Sequence, residues 1–151
     1  MNHNTYNHQD MEMEIPVPSL PDGSPDWSIL SRAWWDAVDL IEESAEEGLY
    51  ACDLTLEGRV MAGSDVLMAP QFGNTPQFGK HGTVSIEVLS TRIVPKKTWE
   101  DFKVKLAKKW MSYTDYDGTP LHGRVHWAKE MPSEVTFQGV TFGYKIHFVY
   151  I

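Results

Sequence analysis

The sequence is poor in cysteine and in basic residues, and it contains no long apolar run. Its one cysteine, Cys52, excludes an internal disulfide framework and any metal site that needs several thiolates. No stretch approaches the roughly 18 apolar residues of a membrane-spanning helix. Residues 1–10 are polar and lack the apolar centre of a signal peptide. We therefore expect a soluble, cytoplasmic protein that does not bind membranes.

Acidic residues outnumber basic ones, with 21 Asp and Glu against 13 Lys and Arg. The resulting formal charge of -8 repels a polyphosphate, so nucleic acid is not expected as a partner. The length of 151 residues and the hydrophobic fraction of 42% are typical of one folded domain. We assign residues 1–10 to a flexible N-terminal arm and residues 11–151 to a single domain.

Apolar and polar residues alternate in several segments, and this alternation predicts strands. In residues 11–17 the apolar positions are Met11, Met13, Ile15 and Val17. Further strands are predicted at residues 50–61, 66–69 and 83–89, and the stretch 134–151 predicts one or two strands that turn near Gly139 or Gly143.

Two segments have the spacing of amphipathic helices. The first covers residues 29–47, with Asp26 or Ser28 available as its cap and Gly48 at its end. The second covers residues 97–110, with Thr98 available as its cap. Two helices and about six strands predict an α+β fold in which both helices pack on one face of an antiparallel sheet. The second helix carries the one basic patch: Lys96, Lys97, Lys103, Lys105, Lys108 and Lys109.

Polar residues that are candidates for catalysis or ligand binding occur in two segments. Glu57 and Arg59 have the same parity in a predicted strand, so both side chains should project from one face. Residues 124–130, with the sequence Arg-Val-His-Trp-Ala-Lys-Glu, predict an extended segment in which Trp127 walls a pocket and Lys129 points into it. Partial desolvation would lower the pKa of Lys129 and let it act as a base, or as a donor to an alcohol or enol oxygen. A surface strand of mixed polarity is the alternative interpretation.

The segments Glu57-Gly58-Arg59 and His126-Trp127-Ala128-Lys129 together resemble the substrate domain of flavin-linked aldonolactone and sugar-alcohol oxidases of the vanillyl-alcohol-oxidase type. The resemblance runs from about residue 13 to residue 129. In that family a Glu-x-Arg pair and the lysine of a His-Trp-x-Lys motif line the pocket against the flavin ring. The resemblance therefore implies Glu57, Arg59 and Lys129 as catalytic residues, with His126 and Trp127 in support.

The chain departs from this family in several ways, which include the segment after Pro132. It has no room for the domain that binds the flavin, and it has no Gly-x-Gly-x-x-Gly phosphate loop. Glu87 stands on the strand where the sugar-alcohol oxidases present a histidine, and we expect it to bind substrate.

Phe72 and Phe78, from the loop that contains Gln-Phe-Gly twice, are expected as aromatic walls. We expect no cofactor, and FAD only if a partner supplies the missing domain.

These observations favour a stand-alone, flavin-free relative of an oxidase substrate domain. Such a domain would act on an oxygenated small molecule by acid-base catalysis, as an isomerase, cyclase or lyase, and we expect its pathway to be a biosynthesis of secondary metabolites. The alternatives are a non-catalytic ligand-binding or interaction module and a fragment of an FAD-dependent oxidase. A homodimer is expected because loss of the flavin domain exposes apolar surface. The basic patch suggests a flavoprotein as a further partner.

Overall fold

The computed structural model describes residues 8–66, 69–72, 80–132, 135–137 and 140–141. In chain order its elements are β1 (His8–Pro16), α1 (Ser28–Glu46), β2 (Leu56–Met61), β3 (Thr83–Thr91), α2 (Lys96–Met111), β4 (Arg124–Val125), β5 (Thr136–Phe137) and β6 (Val140–Thr141).

The first four strands form one antiparallel sheet in the order β2-β3-β1-β4, while β5 and β6 pair separately. The longest strands, β1 and β3, lie at the centre of the four-stranded sheet. The chain order β-α-β-β-α-β with this arrangement of strands is the split βαβ, or ferredoxin-like, topology. The predicted antiparallel α+β fold is therefore confirmed. This topology supports many unrelated functions, so it does not by itself indicate one.

Both helices pack on the same face of the sheet, as predicted. The alternate side chains Met11, Met13 and Ile15 of β1 are fully buried on that face, together with Val84, Ile86 and Val88 of β3. The indole Nε1 of Trp110 in α2 donates a hydrogen bond to the carbonyl oxygen of Ala33 in α1, at 3.1 Å. The core thus lies between the sheet and the two helices.

The predicted strand boundaries need three corrections. β1 begins at His8, and residues 8–10 pair with residues 89–91 of β3, so the predicted arm of residues 1–10 is too long. β2 begins at Leu56 because the preceding loop is anchored elsewhere: the Asp53 carboxylate accepts hydrogen bonds from Ser90 and Thr91. Val66 and Ala69 lie outside the strands, and their backbone bond of 3.0 Å forms a turn. Residues 1–7 and 67–68 lie outside the described part of the chain.

The helix ends follow the predictions in part. The Asp26 carboxylate accepts a hydrogen bond of 3.0 Å from the backbone N–H of Ser28, although Trp27 occupies the cap position itself. Gly48 adopts a φ of +74° just after α1, a conformation that ends helices and suits glycine. α2 starts directly after Pro95, so the prediction of Thr98 as its cap is wrong.

The basic patch on α2 is less exposed than the sequence suggests. Lys103 is only 3% exposed, and its ammonium lies 2.9 Å from Glu100 and 3.0 Å from Glu130. Two exposed lysines of the patch pair within the chain as well, Lys97 with Asp101 and Lys109 with Asp36. Lys103 is therefore a buried, paired residue and does not belong to the exposed part of the basic patch.

Gly82 provides a test of the loop that leads into β3. Its φ is +81°, and an added Cβ atom would lie 2.2 Å from the carbonyl oxygen of Met61. We expect Gly82→Ala to lower the free energy of unfolding by about 3 kcal/mol or more, because left-handed strain and a clash with backbone act together. Gly118, at φ +88° with no atom within 4 Å, is the matched control, and Gly118→Ala should cost about 1 kcal/mol. Urea unfolding compares the two, and equal losses would contradict the assigned clash.

Candidate functional site

The sheet face opposite the helices carries polar side chains. Because Met11 and Met13 point into the core, the intervening residues Asp10, Glu12 and Glu14 of β1 project from this other face. The register of β1 with β3 sets Glu12 opposite Glu87. Two adjacent strands therefore bring acidic side chains directly together.

Three carboxylates form a row across β2, β3 and β1, since Glu57 pairs with Glu87, and Glu87 with Glu12. Like charges directly opposite each other destabilise a sheet unless a cation lies between them. The Arg59 guanidinium supplies that cation. Its Nη1 lies 2.9 Å from Glu12 Oε1, and its Nη2 lies 2.7 Å from Glu87 Oε2 and 3.0 Å from Glu57 Oε2. The prediction that Glu57 and Arg59 share one face is confirmed.

Lys129 reaches the same row from the turn after β4. Its Nζ lies 2.6 Å from Glu87 Oε1 and 3.0 Å from Asp10 Oδ2. The two oxygens of the Glu87 carboxylate thus bind the two predicted cations, one each. We call the following residues the charged cluster: Asp10, Glu12, Glu57, Arg59, Glu87 and Lys129.

The charged cluster keeps both of its cations protonated. Burial lowers the pKa of Lys129, but hydrogen bonds to Glu87 and Asp10 raise it by a larger amount. The pKa of Lys129 therefore lies above the ordinary lysine value. Hydrogen bonding to Glu57 is the largest cause that raises the pKa of Arg59. The prediction of a lowered pKa for Lys129, on which its role as a base depended, is therefore wrong, whereas its role as a donor stays a prediction. Its ammonium is a permanent positive charge and a hydrogen-bond donor at neutral pH.

The charged cluster has a buried end and an open end. The side chains of Glu12 and Glu87 are only 1% and 4% exposed, whereas those of Arg59 and Glu57 are 45% and 47% exposed. The exposed pair lies on β2, at one edge of the sheet. Arg59 and Glu57 are therefore more accessible to solvent than Glu12 and Glu87.

The segment after β4 is a turn and not the predicted extended chain. The backbone N–H of Lys129 donates to the carbonyl oxygen of His126 at 3.0 Å, and the N–H of Ala128 donates to His126 Nδ1 at 3.2 Å. The N–H of His126 itself donates to the carbonyl oxygen of Glu12, at 2.9 Å. His126 thus holds the turn that brings Lys129 to the cluster.

The same turn sends the next side chain to the opposite layer. Glu130 Oε2 accepts hydrogen bonds from Trp99 Nε1 at 2.8 Å and from Lys103 Nζ at 3.0 Å. Its backbone N–H donates to the carbonyl oxygen of Asp10, at 3.0 Å. The side chains of Lys129 and Glu130 therefore make contacts on opposite faces of the sheet, although the two residues are neighbours in sequence.

The structure describes two of the three residues predicted as aromatic walls. Trp127 lies in the turn and is 51% exposed. Phe72 is half-buried, and its carbonyl oxygen accepts a hydrogen bond from the Arg124 guanidinium. Phe78 lies outside the described residues.

Glu14 is a further acidic residue on this face that sequence reasoning missed. It is fully buried, and its Oε2 accepts a hydrogen bond of 2.9 Å from Thr83 Oγ1. Its Oε1 has no hydrogen-bond partner, which is true of no other buried side-chain nitrogen or oxygen in the described part of the chain. Burial raises the pKa of Glu14 by more than the Thr83 hydroxyl lowers it. Glu14 therefore holds a proton more readily than an ordinary glutamate.

A wide groove lies elsewhere on the molecule. It has a volume of about 1040 Å³, runs between α1 and the first half of α2, and is lined by Leu40, Leu49 and Phe102 among others. Since both helices cover the apolar face of the sheet, this groove does not include the charged cluster.

Comparison with known proteins gives no family. No model of a known protein family matches the chain, and no curated protein matches it either. Within residues 8–66, 69–72, 80–132, 135–137 and 140–141, no three His, Cys, Asp or Glu side chains are grouped to hold a metal ion. No helix in this part of the chain is long and apolar enough to cross a membrane.

Removal of the Arg59 guanidinium should destabilise the fold. Arg59→Met leaves the buried Glu12 and Glu87 carboxylates without this counter-ion, and we expect a loss of about 2–4 kcal/mol in the free energy of unfolding. Arg92→Met removes an exposed guanidinium and should change stability by less than about 0.5 kcal/mol. Combining Arg59→Met with Glu12→Gln should restore part of the loss in urea unfolding. A double variant no more stable than Arg59→Met would contradict this account.

The raised pKa of Glu14 predicts a dependence of stability on pH. A carboxyl that binds its proton more tightly in the folded state makes the protein less stable as the pH rises from the unfolded value of 4.5 through the folded value. Glu14→Gln removes this effect, so the variant should gain stability relative to the wild type over that interval.

Asp22→Asn is the control of opposite sign for this prediction. Hydrogen bonds from the side chain and the backbone of Ser24 lower the pKa of Asp22. The asparagine variant should therefore be less stable than the wild type at neutral pH, with the difference vanishing in acid. Urea unfolding at a series of pH values measures both trends. Trends of the same sign would refute the assignment for Glu14.

Proposed function

We propose that the charged cluster binds an oxygen-rich small molecule and catalyses a non-redox proton transfer on it, as an isomerase, cyclase or lyase does. The observation that supports this proposal is the convergence of Arg59 and Lys129 on the single carboxylate of Glu87, at 2.7 and 2.6 Å. We also propose that the chain is a stand-alone, flavin-free relative of the oxidase substrate domains that it resembles at residues 57–59 and 126–129.

Both cations retain capacity to bind a ligand. A guanidinium has five N–H donors and an ammonium has three. Among the described residues, Arg59 makes three hydrogen bonds and Lys129 makes two through its side chain. The remaining donors are held in place by the carboxylates around them. Fixed donors of this kind stabilise negative charge that develops on a carbonyl or hydroxyl oxygen.

Glu57 is the proposed base. It lies at the open end of the charged cluster, and its Oε2 is oriented by Arg59 at 3.0 Å. Glu57 takes a proton from the carbon next to a ligand carbonyl, while Arg59 and Lys129 stabilise the enolate oxygen. Return of that proton to a neighbouring atom completes an isomerisation that needs no electron acceptor.

Glu87 acts in this proposal as a positioning residue. Each of its two oxygens already binds one cation, so it orients Arg59 and Lys129 and does not itself contact the ligand. His126 supports the same geometry through the turn. Trp127 and Phe72 remain candidate contacts for the ligand, because Trp127 lies in the turn that carries Lys129 and the Phe72 carbonyl oxygen accepts a hydrogen bond from Arg124.

A non-catalytic ligand-binding module is the second candidate. It is favoured by the pairing of each cation of the cluster with at least two carboxylates, which is also what a purely structural network shows.

A homodimer also belongs to the proposal, because Trp27 and Trp35 are 45% and 60% exposed in the single chain. Light scattering tests this, and a monomer would contradict it. A flavoprotein partner would make the co-purified protein yellow.

Proton exchange on an aldonolactone tests the proposed catalysis. The resemblance suggests an aldono-1,4-lactone as the probe, and NMR in deuterated water follows exchange of the proton at carbon 2. We expect the wild type to accelerate this exchange and Arg59→Lys or Lys129→Met to slow it by about 100-fold or more. Arg92→Met should leave the rate unchanged. Circular dichroism confirms that each variant is folded.

Two other outcomes of this experiment are informative. No exchange above the buffer rate across a set of aldonolactones contradicts catalysis on this class of compound. Binding of the lactone without exchange favours the non-catalytic module.

A further inference from the structure

We infer that Glu14, Ser85 and Glu12 form a buried proton relay that leads from the interior of the polar face to Arg59 at the open end. Its use in catalysis rests on the proposed function, whereas its existence can be tested without any ligand.

The first observation is the unpaired Oε1 of Glu14. This atom is buried, while the other oxygen of the same carboxyl accepts a hydrogen bond from Thr83 Oγ1 at 2.9 Å. An ionised carboxylate with one buried oxygen unpaired is costly. A proton on Oε1 removes the charge and converts the atom from an unpaired acceptor into a donor.

The second observation is the position of Ser85. It lies directly opposite Glu14 in the pairing of β1 with β3, and it is only 1% exposed. Side chains in opposed positions have Cβ atoms about 4.5–5.5 Å apart, so the Ser85 hydroxyl is within reach of a protonated Glu14. That hydroxyl already donates its own proton to Glu12 Oε1. Its lone pairs remain able to accept from Glu14.

The third observation is where the chain of groups ends. Glu12 Oε1, which accepts from Ser85, also accepts from Arg59 Nη1 at 2.9 Å. When Glu14 gives its proton to the Ser85 oxygen, Ser85 gives its own proton to Glu12. Glu14 then becomes the anion and Glu12 the neutral acid. Arg59 loses a charged partner and can turn Nη1 toward an anionic ligand.

Some of the groups that face Glu14 raise its pKa and others lower it. Glu12 on the same strand repels its negative charge and raises the pKa, while Thr83 and Ser85 on β3 and Arg59 on β2 lower it. Arg124 lies opposite Glu14 on β4, and its guanidinium donates to the carbonyl oxygen of Phe72. Burial is the largest influence among these, and it favours the proton.

Infrared spectroscopy of the ligand-free protein tests the relay directly. Labelling glutamate with ¹³C at the side-chain carboxyl separates its bands from those of aspartate and the backbone. We expect a band of protonated carboxyl at neutral pH in the wild type, and its loss in Glu14→Gln. Glu57→Gln, at the open end of the cluster, is the matched control and should retain the band.

Two variants probe the contacts of Glu14 while keeping the residue itself. Thr83→Val removes a hydrogen bond that lowers the pKa of Glu14, so the band should persist to higher pH than in the wild type. Ser85→Ala removes the proposed acceptor, so the band should shift to the higher frequency of a carboxyl without a hydrogen bond. These two variants also provide the test if Glu14→Gln does not fold.

The relay is overturned if no protonated carboxyl is detected at neutral pH, if the band survives in Glu14→Gln, or if Ser85→Ala leaves its frequency unchanged. Its role in catalysis is measured separately, by the pH profile of lactone exchange. Glu14→Gln and Ser85→Ala should both change that profile, and an unchanged profile in both overturns the role. A band without lactone exchange in the wild type supports the relay and contradicts the proposed function alone.

Discussion

The guanidinium of Arg59 makes the central sheet possible. Strands β1, β2 and β3 can pair in their observed register only if Glu12, Glu57 and Glu87 lie side by side, and Arg59 contacts all three. Like charges in that arrangement would otherwise repel. The interaction that stabilises the sheet is therefore also the one that fixes the geometry of the candidate site. This coupling explains why changes to the site are expected to alter both stability and activity.

The alternation of apolar residues in β1 and β3 and the helical spacing in α1 and α2 predicted the antiparallel α+β fold, because these patterns reflect burial against one core. The shared face of Glu57 and Arg59 was predictable for the same reason, since parity within a strand is a local property. Sequence alone thus identified β1, β3, both helices and the open half of the candidate site.

The buried half of the candidate site depends on contacts between strands that are distant in sequence, and local sequence patterns do not predict such contacts. Alternation assigned only one face of β1 to the core, so Glu12 and Glu14 gave no sign that they were buried as well. The pKa of Lys129 is raised by Glu87 and Asp10, both of which are distant from it in sequence. Lys103 looked like any exposed lysine of an amphipathic helix until its two carboxylate partners were placed around it.

The turn at residues 126–130 has a consequence for how the sheet meets its surroundings. β4 is only two residues long, yet the backbone of β1 beyond it still accepts hydrogen bonds, at Glu12 from His126 and at Asp10 from Glu130. A long unpaired strand edge is a template for association with strands of other molecules. By occupying these carbonyl groups with a turn, the chain protects a central strand against intermolecular aggregation without needing a full edge strand.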